Sequence, residues 1–287
     1  MSLNALLLVL AAALIHAVWN LILKKAEGGV PFLWLVSLAS AVIYLPFVIR
    51  EIQFDTTQLT PALYVFASGS AVLHLFYFYS LQIGYRKGDL SIVYPMARGT
   101  GPLLSSIGAV LIFGERPGWM AVLGIILIVT GIFVMTGLRL RKPEHARLKD
   151  GIIYGAITGI FIAVYTLWDK AAVADFGVSA LLLTFASMIL PIPVLLPKAI
   201  REKEALKRDL RLHWRHILAV AVLSPLSFIL VLIAMKTTPV SYVAPTRELS
   251  IVFGVFFGAN LLNEPDARKR IVAAVAMLIG ISLLAMG

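Results

Sequence analysis

The sequence contains no cysteine, and few of its 287 residues are charged. Without cysteine, disulfide bridges, thiolate metal sites and cysteine nucleophiles are excluded. Only 14% of the residues are charged, whereas an ordinary soluble domain has about 25%. The sequence also lacks GxxxxGK[ST], HExxH and GxSxG motifs, and three of its five histidines, His145, His213 and His216, lie in or beside basic loops. We therefore expect no enzymatic activity, no metal site and no cofactor.

Apolar residues take the place of the missing charges. They make up 60% of the chain, and the mean hydropathy is +0.92. A bilayer core of about 30 Å needs about 20 apolar residues in a helix. On this scale the sequence predicts ten transmembrane helices, at residues 3–23, 31–49, 62–83, 90–113, 118–138, 151–169, 178–197, 216–235, 240–262 and 271–287. The predicted fold class is an all-α membrane protein, and the first span is expected to be retained because it lacks a basic leader and an Ala-x-Ala cleavage site.

The net charge of +10 is concentrated in alternate connectors. The first, third, fifth, seventh and ninth connectors hold 19 Lys or Arg residues, and the even connectors hold four, Arg50, Arg116, Lys170 and Lys236. By the positive-inside rule the odd connectors are cytoplasmic and both termini are periplasmic. We therefore predict a multi-pass protein of the bacterial inner membrane, with membrane lipids and no nucleic acid among its partners.

Two halves of the sequence resemble each other. The stretch "AVWNLILKKA" from residue 17 aligns with "AVYTLWDKAA" from residue 163, and Arg98 and Glu115 align with Arg247 and Glu264 at an offset of 149. The predicted units are residues 1–138, a cytoplasmic basic linker at 139–150, and residues 151–287. Because each unit has five helices, the second enters the membrane in the opposite sense. Such inverted repeats bind substrate near the membrane midplane, in a central cavity between the halves.

Two pairs of motifs indicate a family. A proline interrupts the fourth helix of each half, Pro95 in "VYPMAR" and Pro245 in "VAPTRE", and Gly-Glu or Asn-Glu closes that helix in "IFGERP" and "LLNEPD". Together with the inverted repeats, these motifs resemble the drug/metabolite transporter (DMT) superfamily, EamA type, over essentially the whole chain. The resemblance implies transport of a small metabolite without specifying which one. Its members often lack arginine at the positions of Arg98 and Arg247, a departure that disfavours a neutral, purely hydrophobic substrate.

Arg98 and Arg247 are the two basic residues inside predicted spans. A charge facing lipid there costs at least about 2.5 kcal/mol, so both side chains should face the interior. One hypothesis is a structural salt bridge, most plausibly between Arg98 and Glu248. The other hypothesis is a binding site for an anionic group of the substrate, because the guanidinium group of arginine binds a carboxylate or phosphonate through two hydrogen bonds. A zwitterionic substrate would satisfy both hypotheses, with its amine on Glu248.

Polar and aromatic residues inside the other spans complete the predicted site. His16, Trp19 and Asn20 share one helix face, because residues three and four apart are neighbours on a helix. The resemblance implies that the first, third and fourth helices of each half line the cavity. The remaining candidate substrate-binding residues are His74, Tyr77, Tyr94, Tyr165 and Trp168. For several of these, core packing or a structural hydrogen bond between helices is the alternative.

The sequence thus predicts a secondary transporter that exports a small polar, zwitterionic or anionic metabolite, amino-acid-like or phosphonate-like, by alternating access. The alternative is a lipid or amphiphile flippase on the same fold. If protons drive transport, the candidate coupling groups are Glu248, His16 and His74, with Glu248 preferred. Pro95 and Pro245 are candidate gating kinks. Gly124 and Gly131 are candidates for a homodimer contact, and Glu115 and Glu264 are expected to be solvated at the ends of spans.

Overall fold

The structure, a computed structural model, describes residues 1–26, 28–55, 59–88, 90–136, 145–253 and 267–286. Within these ranges all regular secondary structure is helical, which confirms the predicted fold class for this part of the chain. The helices are α1 (Leu3–Ala26), α2 (Val30–Phe54), α3 (Pro61–Lys87), α4 (Leu90–Phe113), α5 (Trp119–Thr136), α6 (His145–Lys170), α7 (Ala180–Ile189), α8 (Pro191–Arg201), α9 (Lys203–Leu212), α10 (Trp214–Thr237), α11 (Val240–Arg247) and α12 (Ala267–Met286). A π-helical turn, Ala171–Asp175, continues α6.

Seven helical segments of the described chain are long and apolar enough to cross a membrane. They are Leu3–Leu23, Val30–Phe54, Pro61–Lys87, Ile92–Phe113, Leu148–Asp175, Ala180–Arg201 and Trp214–Thr237. Large apolar side chains cover the outside of the protein, for example Phe54 at 81% exposure and Leu111 at 79%. Such a surface is stable only against lipid. The chain is therefore a multi-pass membrane protein.

The other three predicted spans fall on shorter helices. Trp119–Val134 and Val275–Leu284 are apolar but short, and the ninth span begins with α11, which has 8 residues. The continuation of that span, residues 254–266, lies outside the described residues, as does Glu264. The count of ten spans, and the boundaries of the two halves, stay predictions.

Two segments differ from the predicted pattern. The span predicted at 178–197 is divided into α7 and α8 at Pro191, which has no backbone N–H to continue the hydrogen bonds of α7, although Leu190 between them keeps helical dihedral angles. In the seventh connector, predicted as a loop, α9 forms instead. Asp209 of α9 is 1% exposed, and its Oδ1 lies 3.2 Å from Arg208 Nη2. One side of this basic helix is therefore buried.

Several helices of one half pack on helices of the other half. Helix α1 packs on α10, and its counterpart in the second half, α6, packs on α3. Helix α4 packs on α6, as α11 does on α1, and α5 packs on α12. These pairings put the interface between the halves at the centre of the protein, where α1, α3, α4, α6, α10 and α11 meet.

Small residues permit two of these close contacts. Gly155 and Gly159 on α6 face α4, and a Cβ at Gly155 would lie 2.9 Å from the Val93 carbonyl oxygen. On α5, Gly124 contacts Gly280 of α12 in the same chain, where a Cβ at Gly280 would lie 2.8 Å from the Gly124 carbonyl oxygen. Gly124 therefore acts as a small residue that lets a neighbouring helix approach closely, and a homodimer contact of α5 stays a prediction.

Candidate substrate-binding cavity

A cavity of about 510 Å³ lies between the two halves of the protein. Ligand pockets commonly have volumes of about 300 to 1,000 Å³, so this one can hold a small metabolite. It is lined by Ala12, His16, Trp19, Asn20, Leu23, Leu33, Val36, His74, Tyr77, Phe78, Leu81, Tyr85, Tyr94, Ala97, Arg98, Ile162, Tyr165, Val220, Ser224, Ser227, Phe228, Val231 and Arg247. Both arginines predicted to face the interior do so.

The cavity extends toward one side of the membrane. Leu23 and Tyr85 lie near the ends of α1 and α3, and Tyr94 lies near the start of α4. Basic residues lie at these ends, with Lys25 in the last turn of α1 and Lys87 as the last residue of α3. The cavity therefore reaches the side that the positive-inside rule predicts to be cytoplasmic.

Arg98, Arg247 and Glu248 form an ion-paired group at this cavity. Arg98 Nη1 lies 3.3 Å from Oε1 and 3.2 Å from Oε2 of Glu248, and Arg247 Nη2 lies 3.6 Å from Oε1. The Glu248 side chain is 1% exposed, against 16% for Arg98 and 9% for Arg247. The predicted salt bridge is present, and both arginines also line the cavity. Glu248 does not line it, so the carboxylate lies behind the guanidinium groups instead of facing a ligand.

His16 is neutral in this arrangement. Arg98 Nη2 lies 3.0 Å from His16 Nε2, and a guanidinium can only donate hydrogen bonds, so that ring nitrogen accepts. The Trp19 indole packs edge-on against the His16 ring, with centroids 4.7 Å apart. Arg98 Cζ lies 5.7 Å from the centre of the Tyr94 ring, within the range of a cation–π contact.

The second arginine has a matching aromatic partner. The Tyr165 hydroxyl interacts with the Arg247 guanidinium, and the Tyr165 ring stacks on His74 with centroids 4.2 Å apart. Tyr77 lies edge-on to Tyr165, at 5.8 Å. Arg247 Nε has no hydrogen-bond partner in the described chain, although it is buried. This arginine thus keeps donor capacity that a ligand can use.

Comparison with known proteins decides the family. The model of the EamA-like transporter family matches residues 3–137 and again residues 149–286. The chain belongs to the EamA-like transporter family. A crystal structure of another protein is similar over 100% of this chain and 98% of that one, with a TM-score of 0.74 and 16% identity, which shows the fold alone. No curated protein matches this chain.

The family assignment confirms the resemblance seen in the sequence and the duplication of the chain. Members of this family are transporters, so the chain is a membrane transport protein.

In the described residues no three His, Asp or Glu side chains are placed to hold a metal ion.

Nine of the eleven residues predicted to bind substrate line the cavity of this EamA-like transporter. They are His16, Trp19, Asn20, His74, Tyr77, Tyr94, Arg98, Tyr165 and Arg247. Trp19 Nε1 is buried and has no hydrogen-bond partner in the described chain. Asn20 donates to the His16 carbonyl oxygen at 2.7 Å, which leaves its own amide oxygen available.

Trp168 is not at the cavity, although its spacing from Tyr165 predicted a shared face. Its indole N–H donates to the Phe66 carbonyl oxygen at 3.0 Å, and its ring lies 4.9 Å from the Phe66 ring. Gly69 on α3 provides the space, since a Cβ there would lie 2.5 Å from Trp168 Cζ2. Trp168 is therefore a packing residue between α6 and α3, and its assignment to the substrate site is corrected.

Glu115, which was expected to be solvated, is partly exposed and also binds the start of α11. Its Oε1 accepts a hydrogen bond from the Val240 N–H at 2.7 Å, and its Oε2 accepts from the Ser241 N–H at 3.0 Å and from the Ser241 hydroxyl at 2.6 Å. A carboxylate satisfies the free N–H groups at a helix start and the positive end of the helix dipole. This contact joins the end of α4 to the start of α11, on the side opposite the basic connectors.

Lys170 reinforces the same side of the transporter. Its ammonium donates to the carbonyl oxygens of Met235 at 2.6 Å and Thr238 at 3.1 Å, at the end of α10. These carbonyls follow the last turn of the helix and need donors. On this side the Glu115 contact joins the two halves, and the Lys170 contacts join α6 to α10 within the second half.

The two kink prolines lie in the backbone where they were expected. Pro95 is inside α4, but its side chain lies outside the described residues. Pro245 is inside α11, which ends two residues later at Arg247. The Glu248 N–H then bonds to the Pro245 carbonyl, and helical structure resumes at residue 249. The break places Arg247 and Glu248 at a helix terminus in the centre of the protein.

Three polar lining residues were missed from the sequence: Tyr85, Ser224 and Ser227. Asp169, beyond the cavity, was also missed. It is 1% exposed, and neither of its carboxylate oxygens accepts a hydrogen bond in the described chain. The sequence signal that could have identified Asp169 was a carboxylate inside an apolar span. The lysine that follows it, Lys170, bonds to other groups in the structure.

A second cavity of about 230 Å³ adjoins the first. The two share Leu33, Val36, His74, Tyr77 and Phe78. The rest of the second cavity is lined mainly by apolar residues of α3, α7 and α8, with Ser37 and Ser187 as the polar exceptions.

Proposed function

We propose that this protein is a secondary transporter of the bacterial inner membrane that moves a small anionic or zwitterionic metabolite by alternating access. Ten spans in two inverted repeats provide the scaffold, and the substrate binds between the repeats. The observation that carries the proposal is the pair of arginines, one from each half, that line a cavity and share one buried carboxylate.

The charge count supports an anionic group on the substrate. Arg98 and Arg247 contribute two positive charges, and Glu248 compensates one of them. The remaining positive charge lies in a largely apolar cavity, where electrostatic attraction is stronger than in water. A carboxylate or phosphonate on the substrate would supply the missing negative charge through the arginine fork.

The position of Glu248 changes the expectation for a substrate amine. Because the carboxylate lies behind the two arginines, it is not placed to bind an ammonium group. The faces of Tyr94, Tyr77 and Trp19 provide the cation-binding surface of the cavity instead. An amino acid or aminophosphonate would then bind with its acid group on the arginines and its amine against the aromatic rings.

The asymmetry of the structure supports alternating access. The cavity reaches the basic side of the protein, whereas Glu115 and Lys170 tie the helix ends together on the other side. The conformation therefore corresponds to one of the two states that a carrier needs, with access from the predicted cytoplasm. Opening the other side requires release of the contact between Glu115 and the start of α11.

Matched pairs of ligands test this proposal. We would measure the thermal stability of purified protein with glutamate against glutamine, and with 2-aminoethylphosphonate against ethanolamine. Counterflow of radiolabelled acid into proteoliposomes loaded with the same unlabelled acid then tests transport. We expect the acid of a pair to stabilise and exchange while its uncharged or cationic partner does not. Equal responses within both pairs would contradict an anion site.

A lipid or amphiphile flippase is the second candidate function, and the smaller cavity is the observation that favours it. An acidic headgroup on the arginines could extend its tail into the apolar space around Leu75, Leu190 and Val194. Scrambling of short-chain fluorescent phosphatidylglycerol in the same proteoliposomes distinguishes the two functions. A flippase would scramble this lipid and show no counterflow of the small acids.

A further inference from the structure

Asp169 is a buried carboxylate that the proposed anion site leaves unused. It lies one residue before the end of α6, is 1% exposed, and accepts no hydrogen bond on either oxygen in the described chain. Glu248 is equally buried, but it lies within 3.3 Å of an arginine nitrogen. A buried carboxylate that is ionised and unpaired costs several kcal/mol. Asp169 is therefore a neutral acid in this conformation.

A chain of polar groups connects Asp169 to the cavity. The Ser70 hydroxyl on α3 lies next to the Asp169 carboxylate and 3.4 Å from His74 Nδ1. His74 Nδ1 is 2.8 Å from the Ser70 carbonyl oxygen, which can only accept, so Nδ1 carries the hydrogen. The other ring nitrogen is then an acceptor, and His74 lines the cavity. A proton from cavity water can reach Asp169 through His74 and Ser70.

Arg247 links Asp169 to the proposed anion site. Its guanidinium lies within electrostatic range of the Asp169 carboxylate but forms no ion pair with it in the described chain. When Asp169 is neutral, Arg247 keeps its free donor capacity for a substrate anion. When Asp169 is ionised, its negative charge competes for Arg247.

The other ionisable groups nearby already have partners. Lys170, on the same helix, donates to the carbonyls of α10, and Glu115 accepts from the start of α11. Glu248 on the far side of Arg247 is ion-paired, and His16 accepts from Arg98. Among the acids that the structure describes near the cavity, Asp169 is thus the one whose proton can leave and return without breaking a contact of the closed side.

We propose that Asp169 is the proton-binding site of this transporter and that it couples protons to an anionic substrate as symport. The proposal rests on the proposed function and specifies its coupling. By linkage, if a proton on Asp169 favours the anion on Arg247, the anion favours the proton to the same extent. Substrate and proton therefore bind together and cross together, and an inward proton gradient drives uptake. This direction is opposite to the export expected from the sequence.

Infrared spectroscopy tests the protonation state without any substrate. Wild type has the carbonyl stretch of a protonated carboxylic acid, and the spectrum of Asp169→Asn lacks it. Two controls keep the band: Glu248→Gln, which alters an ion-paired carboxylate, and Asp209→Asn, which alters a buried aspartate in α9, away from the cavity. A band that persists in Asp169→Asn would overturn the proposal.

Transport in proteoliposomes tests the coupling, with 2-aminoethylphosphonate and glutamate as probes. With acid outside, wild type should accumulate a probe by up to about tenfold per pH unit for one proton per substrate. In Asp169→Asn the side chain is always neutral, like a protonated aspartate. This variant should therefore keep counterflow when the pH is equal on both sides, and should no longer accumulate a probe in response to a pH gradient. Asp209→Asn should behave like wild type. A gradient response retained in Asp169→Asn, or accumulation with acid inside, overturns symport through Asp169.

The two assays separate this proposal from the proposed function. If wild type shows no counterflow with any acid, the anion-transport function fails, and the infrared band still decides whether Asp169 holds a proton. If counterflow is present but insensitive to a pH gradient, the transporter is a facilitator, and the coupling proposal alone fails.

Discussion

Arg98 and Glu248 are 150 positions apart in the sequence, yet Arg98 Nη1 lies 3.2 Å from Glu248 Oε2 in the interior of the protein. The pair joins the fourth helix of the first half to the break after α11 in the second. Because the Glu248 side chain is only 1% exposed, its charge depends on the neighbouring arginines, and the predictions about the site follow from this dependence.

Replacing Arg98 with methionine should destabilise the protein. The substitution keeps most of the side-chain volume but leaves the Glu248 carboxylate with the longer contact to Arg247 alone, and breaking a buried pair costs about 3 to 5 kcal/mol. Thermal melting in detergent should show this loss. The double variant Arg98→Met/Glu248→Met should recover much of it, since no buried charge is stranded. A double variant that melts no higher than the single one would contradict this account.

Arg247→Lys should fold normally and lose most transport. Lysine retains the positive charge near Glu248 and Tyr165 but cannot form a two-point contact with an acid group. Melting and gel filtration report folding, and counterflow of the acid probes reports transport. Arg211→Lys, the same change at an exposed residue of α9, is the control. Wild-type transport by Arg247→Lys would show that Arg247 is structural.

Glu248→Gln should lower stability while leaving the response to a pH gradient in place. The sequence favoured Glu248 as the coupling group, and this remains untested. The ion pairs with two arginines instead favour a carboxylate that stays charged. Uptake by proteoliposomes with and without a pH gradient decides between the two roles. Loss of the gradient response with retained counterflow would restore Glu248 as the coupling group.

Glu115→Ala should loosen the side of the protein opposite the basic connectors. It removes three hydrogen bonds at the start of α11, and loss of a helix cap costs about 0.5 to 2 kcal/mol. Because the chain has no cysteine, Tyr242→Cys gives a single thiol there, and Tyr242 is 8% exposed. An impermeant thiol reagent should label it faster when Glu115 is alanine. Arg116→Ala, which alters the exposed neighbour, should leave the rate unchanged.

The basic linker at 139–150 should face the cytoplasm. Lys149→Cys in whole cells should react with the impermeant reagent only after the membrane is permeabilised. Arg116→Cys, on an even connector, should react without permeabilisation. The reverse pattern would invert the predicted topology and place the cavity on the periplasmic side.

Much of the site could be predicted from the sequence because polar residues in apolar spans are costly and therefore stand out. Arg98, Arg247 and His16 were found in this way, and the salt bridge to Glu248 followed from the need of a buried arginine for a partner. Trp168 was predicted to line the cavity because it lies three residues after Tyr165, but this spacing specifies the side of a helix only coarsely. Its indole packs against α3 instead, where Gly69 has no side chain to block it.

The sequence by itself determined the membrane class, the duplication and the sidedness expected from the basic connectors, since hydropathy, self-similarity and charge are properties of the chain alone. Only the tertiary structure decided how the carboxylates divide their roles. Glu248 pairs with the arginines, Glu115 caps a helix of the other half, and Asp169 stays unpaired. The reason is that the free energy of a buried carboxylate depends on the donors around it, and these come from helices that are distant in sequence.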